Sequence, residues 1–423
     1  MAGPIPAGLL PDTAYVSDDG RLRIGGCDLV ELAAEFGTPL FVYDEAHLRA
    51  RCREAVAAFG DGVAYASKAF LCGAMARLAH EEGMHLDVAT GGELFVASRA
   101  GVPADRLVMH GNNKSAAELA MALDEGVGRI VVDSFDELDR LDALAAATGS
   151  RPRVLLRITP GVEAHTHEFI ATGQDDSKFG FTVSSGLATA AVERAVASDS
   201  VELVGLHAHI GSQVFEVGAF VRAVEVLADF AAPFGLAELS VGGGLGVPYV
   251  EGESAPSITE WASGIRAVCE AAGVTATVSA EPGRAIVAAA AVTLYTVGTI
   301  KELPGIRTYV AVDGGMSDNP RPVLYGSGYE TFLPRAVAAQ RSRPVRVVGK
   351  HCESGDLLVR EGWVPGDLAV GDVLATPVTG AYGHSMGSNY NHVLRPAVVF
   401  VADGDAREVV RRETFEDLVR REA

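Results

Sequence analysis

"VAYASKAFLCGAMARLAHEEGMHLDVAT", residues 63–90, is the stretch that decides the fold. A run of small and apolar residues (VAYASK, 63–68) is followed by a segment with helical spacing and then by a second apolar run (HLDVAT, 85–90). Two strands joined by a helix of this size form a βαβ unit, in which the strands are parallel. The first strand ends in Lys68, a residue type that is almost never fully buried unless it is paired or has a function.

The same alternation of strands and helices extends from about residue 38 to residue 300. The other apolar runs are FVYD (41–44), RLVMHG (106–111), RIVVDS (129–134), RVLLRIT (153–159), ELVGLHAHIGS (202–212), ELSVGGGLG (238–246) and ATVSAEPGR (276–284). Eight or nine such units favour a closed (β/α)8 TIM-like barrel over an open sheet. No GxGxxG motif follows the first strand, which argues against a dinucleotide-binding sheet.

The sequence pattern changes after about residue 300. Strand-like runs such as RTYVAV (307–312) and RPAVVFVADG (395–404) alternate with turns of Gly, Pro and Asp, which is typical of a mostly antiparallel β domain. The N-terminal segment carries a short strand-like run of its own. The predicted domains are therefore a barrel over residues 38–300 and a β domain made of residues 1–37 and 301–423.

Composition excludes several classes of protein. The chain has 423 residues, enough for two domains, and a formal net charge of −20, which argues against binding to a nucleic-acid backbone or an anionic membrane. Its five cysteines form no CxxC pair, so neither a disulfide framework nor a zinc site is indicated, and a reduced, cytoplasmic setting is expected. The first twenty residues do not have the pattern of a signal peptide, and no apolar stretch has membrane-spanning length.

Four unusual features stand at the ends of predicted strands: Lys68, His209, GGGLG (242–246) and EPGR (281–284). Catalytic residues of a (β/α)8 barrel lie at the carboxyl ends of its strands, so these features would meet at one barrel mouth. Lys68 alone is compatible with an ordinary lysine whose head group lies in water. In a desolvated site its amine would lose its proton more readily and could attack a carbonyl group.

Each of the other strand-end features also has two interpretations. The three consecutive glycines could make a tight turn, or could let backbone N–H groups approach a phosphate. Glu281 and Arg284 could form a surface ion pair. Alternatively, Glu281 could pair with a cationic ring nitrogen while the turn at Gly283 and Arg284 holds a phosphate or carboxylate.

The histidines also leave two alternatives open. In HAHIGSQ (207–213), His207 and His209 lie on one face of a strand, and HTH (165–167) adds a second pair. Such pairs are typical of metal ligands, which makes a metal-dependent barrel hydrolase one alternative. In the other, the imidazole of His209 stacks on an aromatic cofactor and His207 has a structural role.

The predicted β domain has three polar stretches: KHCESGD (350–356), DNPRPVLYGS (318–327) and TGAYGHSMGSNYN (379–391). Cys352 could be a small buried hydrophobic residue, or a proton donor in a polar neighbourhood. The other two stretches could be ordinary hairpin turns. They could also bind anions, through Arg321 and Tyr325, which are four residues apart, and through Tyr382.

Together these stretches resemble the fold type III decarboxylases that use pyridoxal 5′-phosphate (PLP), and most closely the diaminopimelate decarboxylase family. The matching motifs are YASKAF, GxxxHTHxxIxTGxxxSKFG, HIGSQ, GGGLG, EPGR, DGGMSDNPRPxLY, CESGD and GAYGxSMxSNYN. The resemblance implies an alanine-racemase-like barrel with a C-terminal β domain. It also implies a head-to-tail homodimer whose active sites form at the interface, with CESGD contributed by the partner subunit.

The resemblance also implies roles for individual residues. Lys68 would join the cofactor aldehyde as a Schiff base, His209 would stack on the pyridine ring, and Glu281 would pair with the ring nitrogen. The phosphate would be held by Ser212, Gly243, Gly244, Gly283, Arg284 and Tyr382. The substrate would be bound by Arg284, Arg321, Tyr325, Glu353 and Tyr382, with Glu353 on the distal ammonium. Cys352 would be the acid that protonates the carbanion.

The activity implied by the resemblance is decarboxylation of meso-2,6-diaminopimelate, at its D-centre, to L-lysine in the last step of lysine biosynthesis. Two arginines suit a dicarboxylic substrate, whereas ornithine would need acids at its far end. The alternatives are a related decarboxylase acting on ornithine, arginine, lysine or a carrier-bound glutamyl unit, and a non-catalytic PLP-binding regulator. His384 departs from the pattern, which predicts an aromatic or other large residue there, and Gly387 has no assigned role.

Overall fold

The computed structural model describes residues 2–162 and 173–423, and the chain divides into two compact units. One unit, here called the barrel unit, spans residues 51–246 and 255–285. The other, here called the β unit, comprises residues up to 50, 247–254 and 286–423. The HTH motif (165–167), on which the metal-hydrolase alternative partly rests, lies outside the described residues.

The barrel unit is built on eight parallel strands that pair in sequence order. They are Ala64–Ala66, His85–Val88, Leu107–Met109, Arg129–Val132, Arg153–Thr159, Glu202–His207, Glu238–Ser240 and Thr277–Ser279. A ninth short strand, Phe181–Thr182, pairs in parallel with Arg153–Thr159. The predicted βαβ unit at residues 63–90 therefore supplies the first two strands of the sheet.

Backbone hydrogen bonds close the sheet into a barrel. The N–H of Ala64 donates to the carbonyl of Ala280 at 3.0 Å, and the N–H of Ala66 donates to the carbonyl of Pro282 at 3.3 Å. These bonds join the first strand to the segment that follows the last one, so the sheet has no free edge. The predicted (β/α)8 barrel is confirmed.

Four helices of the barrel unit begin at side-chain caps. Ser115 and Ser257 each form a capping box with the glutamate three residues later, and Thr90 and Ser134 cap two further helices. The helices are Gly73–Glu81, Gly91–Arg99, Ala116–Glu125, Phe135–Thr148, Leu187–Val196, Val217–Ala231 and Ile258–Ala271. Helices Glu45–Phe59 and Arg284–Val287 contain the points at which the two units divide.

The inside of the barrel is a packed apolar core. Val108, Val131, Leu155 and Val204, from four neighbouring strands, form one buried cluster. Each such side chain removed from water contributes about 1.5–3 kcal/mol, so this layer stabilises the packing of the four strands. The predicted site residues of the barrel lie at the carboxyl ends of the strands.

The β unit contains two sheets. A three-stranded antiparallel sheet is formed by Tyr15–Val16, Leu22–Ile24 and Cys27–Asp28. The eight-stranded sheet contains Leu40–Asp44, Ala291–Leu303, Arg307–Val312, Arg343–Val348, Leu357–Val364, Val373–Pro377, Ala397–Ala402 and Asp405–Val410. Two of its pairs are parallel and the others antiparallel, as expected for a mostly antiparallel domain. The helices are Leu29–Phe36, Arg321–Tyr325 and Phe415–Val419.

The first predicted strand, FVYD (41–44), belongs to a different sheet from the one expected. We placed it in the barrel; in the structure Leu40–Asp44 pairs with Ala291–Leu303 and Ala397–Ala402 in the β unit. The strand is buried along its whole length, as a barrel strand also is, so its apolar pattern does not distinguish the two locations. The units therefore divide near residues 50 and 286 rather than at 38 and 300.

Short 3₁₀ helices complete the description: Ala7–Leu9, Ser67–Ala69, Ala104–Arg106, Ala232–Phe234, Pro334–Ala336, His384–Met386 and Tyr390–His392. Among the helices of the described residues, none has both the length and the apolar character needed to cross a membrane.

Candidate active site

The carboxyl ends of the barrel strands bring together a cluster of polar side chains around Glu281, a residue that is itself only 9% exposed. The Nε2 of His207 lies 2.9 Å from Oε2 of Glu281, and the hydroxyl of Ser240 donates to Oε1 at 2.7 Å. Burial opposes ionisation of this carboxyl, but the close imidazole of His207 and the hydrogen bonds with His207 and Ser240 outweigh it and lower the pKa of Glu281. The barrel mouth therefore holds a buried, ionised carboxylate.

Two further residues, which the sequence analysis missed, surround this carboxylate. The Nε2 of His110 lies 3.7 Å from Glu281 and 3.4 Å from Asp87. Burial, and then the negative charge of Glu281, raise the pKa of Asp87 well above its ordinary value, and burial lowers the pKa of His110 well below its own. The cluster therefore keeps one negative charge, on Glu281, while Asp87 and His110 are neutral.

A possible set of metal ligands is formed by His110, His207 and Glu281, whose ligand atoms lie within 4.8 Å of one another. This group differs from the pair considered in the sequence analysis, because it contains His207 but not His209. His207, for which we expected a structural role, contacts Glu281 directly.

His209 is fixed by the glycine-rich turn. Its Nδ1 accepts a hydrogen bond from the backbone N–H of Gly243 at 3.1 Å. Burial lowers the pKa of His209 well below its ordinary value, so the ring is neutral and carries its proton on Nε2. The imidazole is therefore held in one tautomer and one orientation, as a ring that stacks on a cofactor requires.

The glycines of GGGLG are needed because other backbone segments pass close to them. A Cβ on Gly243 would lie 2.2 Å from the carbonyl oxygen of Glu281, and one on Gly244 would lie 2.1 Å from that of Gly211. Gly244 also has a φ of +114°, which L side chains rarely adopt. These contacts agree with the tight-turn interpretation, and phosphate binding by the turn stays a prediction.

Ser212 and Arg284, which were predicted to hold a phosphate, are neighbours. The Nη2 of Arg284 donates to the hydroxyl of Ser212 at 2.9 Å, and Arg284 is 6% exposed. Gly283 precedes it, and a Cβ there would lie 2.9 Å from Ala66. The structure thus brings the segment after the last barrel strand beside the end of the first strand. The guanidinium of Arg284 contacts the hydroxyl of Ser212 in the same region.

Lys68 directly follows the first strand and lies on the 3₁₀ helix Ser67–Ala69. Its neighbours Ser67 and Ala69 are buried, whereas Lys68 itself is exposed. The hydroxyl of Tyr65 donates to the carbonyl of Phe70 at 2.6 Å, which holds the backbone on both sides of the lysine. The amine is thus carried by a rigid backbone, and its charge acts on Asp87 and His209.

The β unit holds the remaining predicted residues, and Arg321 is one of its buried cations. Its Nη1 donates to the hydroxyl of Tyr329 at 2.6 Å, and its guanidinium lies 4.1 Å from the ring centre of Tyr249. The Nε of Arg321 is buried without a hydrogen bond to the described residues. Tyr325, predicted to bind a carboxylate together with Arg321, lies on the same short helix, and the hydroxyl that accepts from the guanidinium belongs to Tyr329, eight residues away.

Tyr382 has a backbone conformation that favours a functional role. Its φ is +58°, in the left-handed region that non-glycine residues seldom occupy. The preceding Gly380 is tightly enclosed, since a Cβ there would lie 1.8 Å from the carbonyl oxygen of Val287.

Cys352 is exposed, whereas the other four cysteines are buried. This exposure argues against the interpretation of Cys352 as a small core residue. Its backbone N–H donates to Oδ1 of Asn391 at 3.3 Å, and the hydroxyl of Tyr390 donates to Glu353 at 3.0 Å. Tyr390 and Asn391, for which the sequence predicts no role, both hold the loop that carries Cys352 and Glu353.

His384 and Gly387, left without a role by the sequence, have structural contacts. The ring of His384 packs edge-on against Phe41, with centroids 5.7 Å apart, and its carbonyl accepts a hydrogen bond from Arg395. Burial, with a contribution from Arg395, lowers the pKa of His384 to about 3, so this ring is an uncharged aromatic group. A Cβ on Gly387 would lie 3.1 Å from Arg395, His384 and Ser317, so this position is tightly packed.

A parallel barrel with a lysine, an ionised carboxylate and a glycine turn at its mouth defines a class of cofactor-dependent enzyme. Residues 45–288 match the family model described as "Pyridoxal-dependent decarboxylase, pyridoxal binding domain". The barrel unit therefore uses pyridoxal phosphate as its cofactor.

Two relatives identify the family within this class of cofactor-dependent enzyme. "Diaminopimelate decarboxylase" of Mycobacterium tuberculosis (strain ATCC 25618 / H37Rv) is 50% identical over 421 residues, covering 95% of this chain and 94% of the relative. The protein of the same name from Bacillus subtilis (strain 168) is 46% identical over 430 residues, with 97% of each covered. The chain belongs to the diaminopimelate decarboxylase family of pyridoxal-dependent decarboxylases.

Solved structures agree with this assignment. Diaminopimelate decarboxylase from M. jannaschii in co-complex with L-lysine has a TM-score of 0.90 and 33% identity, covering 97% of this chain and 98% of the other. The enzyme from Helicobacter pylori complexed with L-lysine has a TM-score of 0.86 and 32% identity, covering 93% of this chain and 98% of the other. The predicted alanine-racemase-like fold is confirmed over nearly the whole chain.

Proposed function

We propose that this chain catalyses the PLP-dependent decarboxylation of meso-2,6-diaminopimelate to L-lysine, the last step of lysine biosynthesis. The observation that carries the proposal is the place of Glu281 at the barrel mouth, where it is 9% exposed and hydrogen-bonded to His207 and Ser240. A carboxylate in this position can pair with the protonated ring nitrogen of PLP. The shared name of the relatives supports the choice of substrate.

The residues at the barrel mouth fit the cofactor. Glu281 would face the ring nitrogen, the neutral ring of His209 would stack on the pyridine, and Lys68 would bond to the aldehyde. The glycine turn carries no side chains, so backbone rather than Cβ atoms lies at this point of the barrel mouth, as close binding of a phosphate requires. The phosphate would be held by Ser212, Gly243, Gly244, Gly283, Arg284 and Tyr382. Because the N–H of Gly243 already donates to His209, this glycine would contribute its lack of a side chain rather than a hydrogen bond.

When bound, PLP supplies an electron sink for the electron pair left on the α-carbon as CO2 departs. The chain provides the charges that make this possible. Glu281 keeps its negative charge, held by His207 and Ser240, and so favours the protonated form of the ring nitrogen. Because Asp87 and His110 are neutral, neither adds a charge beside the one that Glu281 would present to the ring nitrogen.

The far end of the substrate would be bound by Arg284 of the barrel unit and by residues of the β unit. Arg321, Arg284 and Tyr325, with Tyr382, would hold the distal carboxylate, and Glu353 would pair with the distal ammonium. The buried Nε of Arg321 has a donor to offer to such a carboxylate. Binding at the far end selects which carboxylate stands over the ring plane and is lost. The Sγ of Cys352 would then give its proton to the α-carbon.

We further infer that the active enzyme is a homodimer in the cytoplasm, with Cys352 and Glu353 supplied to each site by the partner subunit. This part of the proposal follows from the family resemblance. The exposed position of both residues supports it, since a group that completes a neighbouring site must lie at the surface of its own subunit.

Turnover of candidate substrates tests the proposal. The purified protein, loaded with PLP, is given meso-diaminopimelate, ornithine, arginine or lysine, and CO2 and the amino-acid products are measured. We expect kcat/KM for diaminopimelate to exceed that for each of the others by about 10³-fold or more, because buried donors left unpaired reject a substrate that lacks the second carboxylate. Preference for a basic amino acid without that carboxylate would overturn the assignment. PLP binding without any turnover would indicate the regulator instead.

A pair of variants tests the site of discrimination. Arg321→Lys keeps the positive charge but loses the planar fork, so KM for diaminopimelate should rise by about tenfold or more. Arg335→Lys is the matched control, because Arg335 is an arginine of the same unit that forms ion pairs with Asp367 and Asp372 and is not a predicted site residue. Equal KM values in the two variants would exclude Arg321 from substrate binding.

A further inference from the structure

A chain of side-chain hydrogen bonds in the β unit links residues that lie in three different motifs. Ser317 contacts Asp318 and His351, and His351 contacts Asn391. Asn391 in turn accepts the backbone N–H of Cys352. The chain therefore begins at a buried carboxyl and ends at the residue proposed to protonate the substrate carbon.

The distances show a continuous path. The hydroxyl of Ser317 lies 3.1 Å from Oδ1 of Asp318 and 2.8 Å from Nε2 of His351. The Nδ1 of His351 lies 3.2 Å from Oδ1 of Asn391. This part of the path is buried from water, since Asp318 is 1% exposed, Ser317 is 3% exposed and His351 is 7% exposed.

Counting protons along this path gives a specific result. The side-chain atom of Asn391 must be an oxygen, because it faces the backbone N–H of Cys352, which can only donate. The Nδ1 of His351 must therefore carry a proton and donate to it. The Ser317 hydroxyl has a single proton and stands between Nε2 of His351 and Oδ1 of Asp318.

All contacts are then satisfied only if one more proton is present. With His351 as an imidazolium, Nε2 donates to Ser317, and Ser317 donates to the carboxylate of Asp318. With Asp318 protonated, its O–H donates to Ser317, and Ser317 donates to Nε2. If neither residue holds the extra proton, Nε2 of His351 and Oδ1 of Asp318 are both acceptors for the single proton of Ser317. One of these two hydrogen bonds is then lost.

The surroundings favour retention of this proton near neutral pH. Burial, with a contribution from Asp313 and Asp356, raises the pKa of Asp318 to about 7, although it accepts hydrogen bonds from Gly315 and Ser317. Asp356 fixes the same loop by accepting the backbone N–H groups of Met316 and His351. The titratable and charged groups near the path are Tyr295, Asp313, Glu353, Asp356, Tyr390, Arg395 and Arg412.

We infer that His351 is a positioning residue for Cys352, and that it shares one proton with Asp318 through Ser317. The inference rests on the proposed function, because it assigns His351 a role through the proposed acid. Loss of the shared proton would break the path, release Asn391 from its fixed position and loosen the backbone of Cys352. The turnover number, rather than substrate binding, should therefore depend on the protonation of this pair.

Two variants separate the shared proton from simple packing. Asp318→Asn mimics the protonated acid, since its oxygen can accept from Gly315 while its NH2 donates to Ser317. Ser317→Ala removes the bridge with only a small change in volume. The holoenzyme of each, labelled with ¹⁵N-histidine, is titrated by NMR, and the His351 signal is identified by its absence in His351→Gln.

We expect the His351 midpoint to shift by about one pH unit or more in both variants, because a carboxylate within a few ångströms changes an imidazole pKa by that amount. A midpoint unchanged in both variants overturns the shared proton. This measurement needs no turnover, so it stands apart from the proposed function.

A double-mutant cycle tests the action through Cys352. We expect His351→Gln to lower kcat by about tenfold with KM within about threefold, and to have little further effect in a Cys352→Ala background. An equal loss of kcat in both backgrounds would overturn the positioning role. If Cys352→Ala itself does not slow turnover, the proposed acid is wrong and the positioning role falls with it, whereas the NMR result is unaffected.

Discussion

The two polar clusters of this protein handle buried carboxyl groups in opposite ways. At the barrel mouth, Glu281 accepts hydrogen bonds from His207 and Ser240, and its pKa is lowered. In the β unit, Asp318 also accepts two hydrogen bonds, but burial beside Asp313 and Asp356 raises its pKa to about 7. Burial and hydrogen-bond number are similar, so the difference comes from the charges of the neighbours.

This difference suits the two proposed roles. A carboxylate that faces a cationic ring must keep its charge throughout the reaction. A group that stabilises a proton-donating loop can instead hold a proton near neutral pH. The comparison teaches that the charge state of a buried acid depends on the neighbours that the fold brings to it from other elements, and not on its burial alone.

Removing the amine from the barrel mouth should have the largest effect. Lys68→Ala should lower kcat by about 10⁴-fold or more, since the group that bonds to the cofactor is lost. The visible absorbance of the bound cofactor should change with it. Retained activity with the native colour would refute the role of Lys68.

The fixed charge at the barrel mouth can be removed while its shape is kept. Glu281→Gln should lower kcat by about 10²–10³-fold, the range found when one preorganised electrostatic contact is lost. Glu238→Gln is the matched control, since Glu238 is also a partly buried barrel acid but pairs with Arg129 and Arg153 near the amino ends of the strands. Similar turnover by the two variants would show that the charge of Glu281 is not needed.

The proton donor of the β unit should matter less than the amine. Cys352→Ala should slow turnover by about 10²-fold, as is usual for loss of a general acid, and leave cofactor binding intact. The buried Cys269, in the barrel unit, provides the control as Cys269→Ala, with turnover close to that of the unchanged protein. An unchanged rate in Cys352→Ala would mean that this thiol has no part in the reaction.

The contrast between the two acids also predicts a difference in the pH dependence of stability. The pKa of Asp318 is raised from 3.8 to about 7, so its protonation supports the fold fully below pH 3.8, and this support is lost as pH rises towards 7. The slope is at most about 1.4 kcal/mol per pH unit. Glu281 has the opposite sign, because its lowered pKa gives support that is lost only in strong acid.

Thermal unfolding of Asp318→Asn isolates the contribution of Asp318 protonation to the stability of the fold. Between pH 5 and pH 8, the Tm of the variant should rise relative to that of the unchanged protein, since the asparagine does not ionise. Parallel Tm curves across this range would show that Asp318 is not a buried acid with a raised pKa.

Much of the barrel site was predictable from sequence because parallel strands place their carboxyl ends together. Lys68, His209 and Glu281 could be predicted for that reason, since each follows an apolar run. His110 and Asp87 stand at similar positions, but a single polar residue at the end of a buried strand has many ordinary explanations. The sequence signal that could have identified His110 and Asp87 was their position at the end of a strand.

The rest depended on contacts that no local pattern encodes. The strand at Leu40–Asp44 has the same buried pattern in either sheet, so only its partners identify its place. The path from Asp318 to Asn391 joins residues 34 and 40 positions apart, through Ser317 with His351 and His351 with Asn391. Such contacts arise from the register of the β unit, and sequence spacing gives no measure of them.

The central claim is that Lys68, and no other amine, carries the cofactor. The chain has five lysines: Lys68, Lys114, Lys178, Lys301 and Lys350. Reduction of the PLP-loaded protein with borohydride, followed by digestion and mass spectrometry, identifies the modified residue. The account predicts a pyridoxyl group on Lys68 alone, in an amount that follows the cofactor content, and modification of another lysine, or of none, would contradict it.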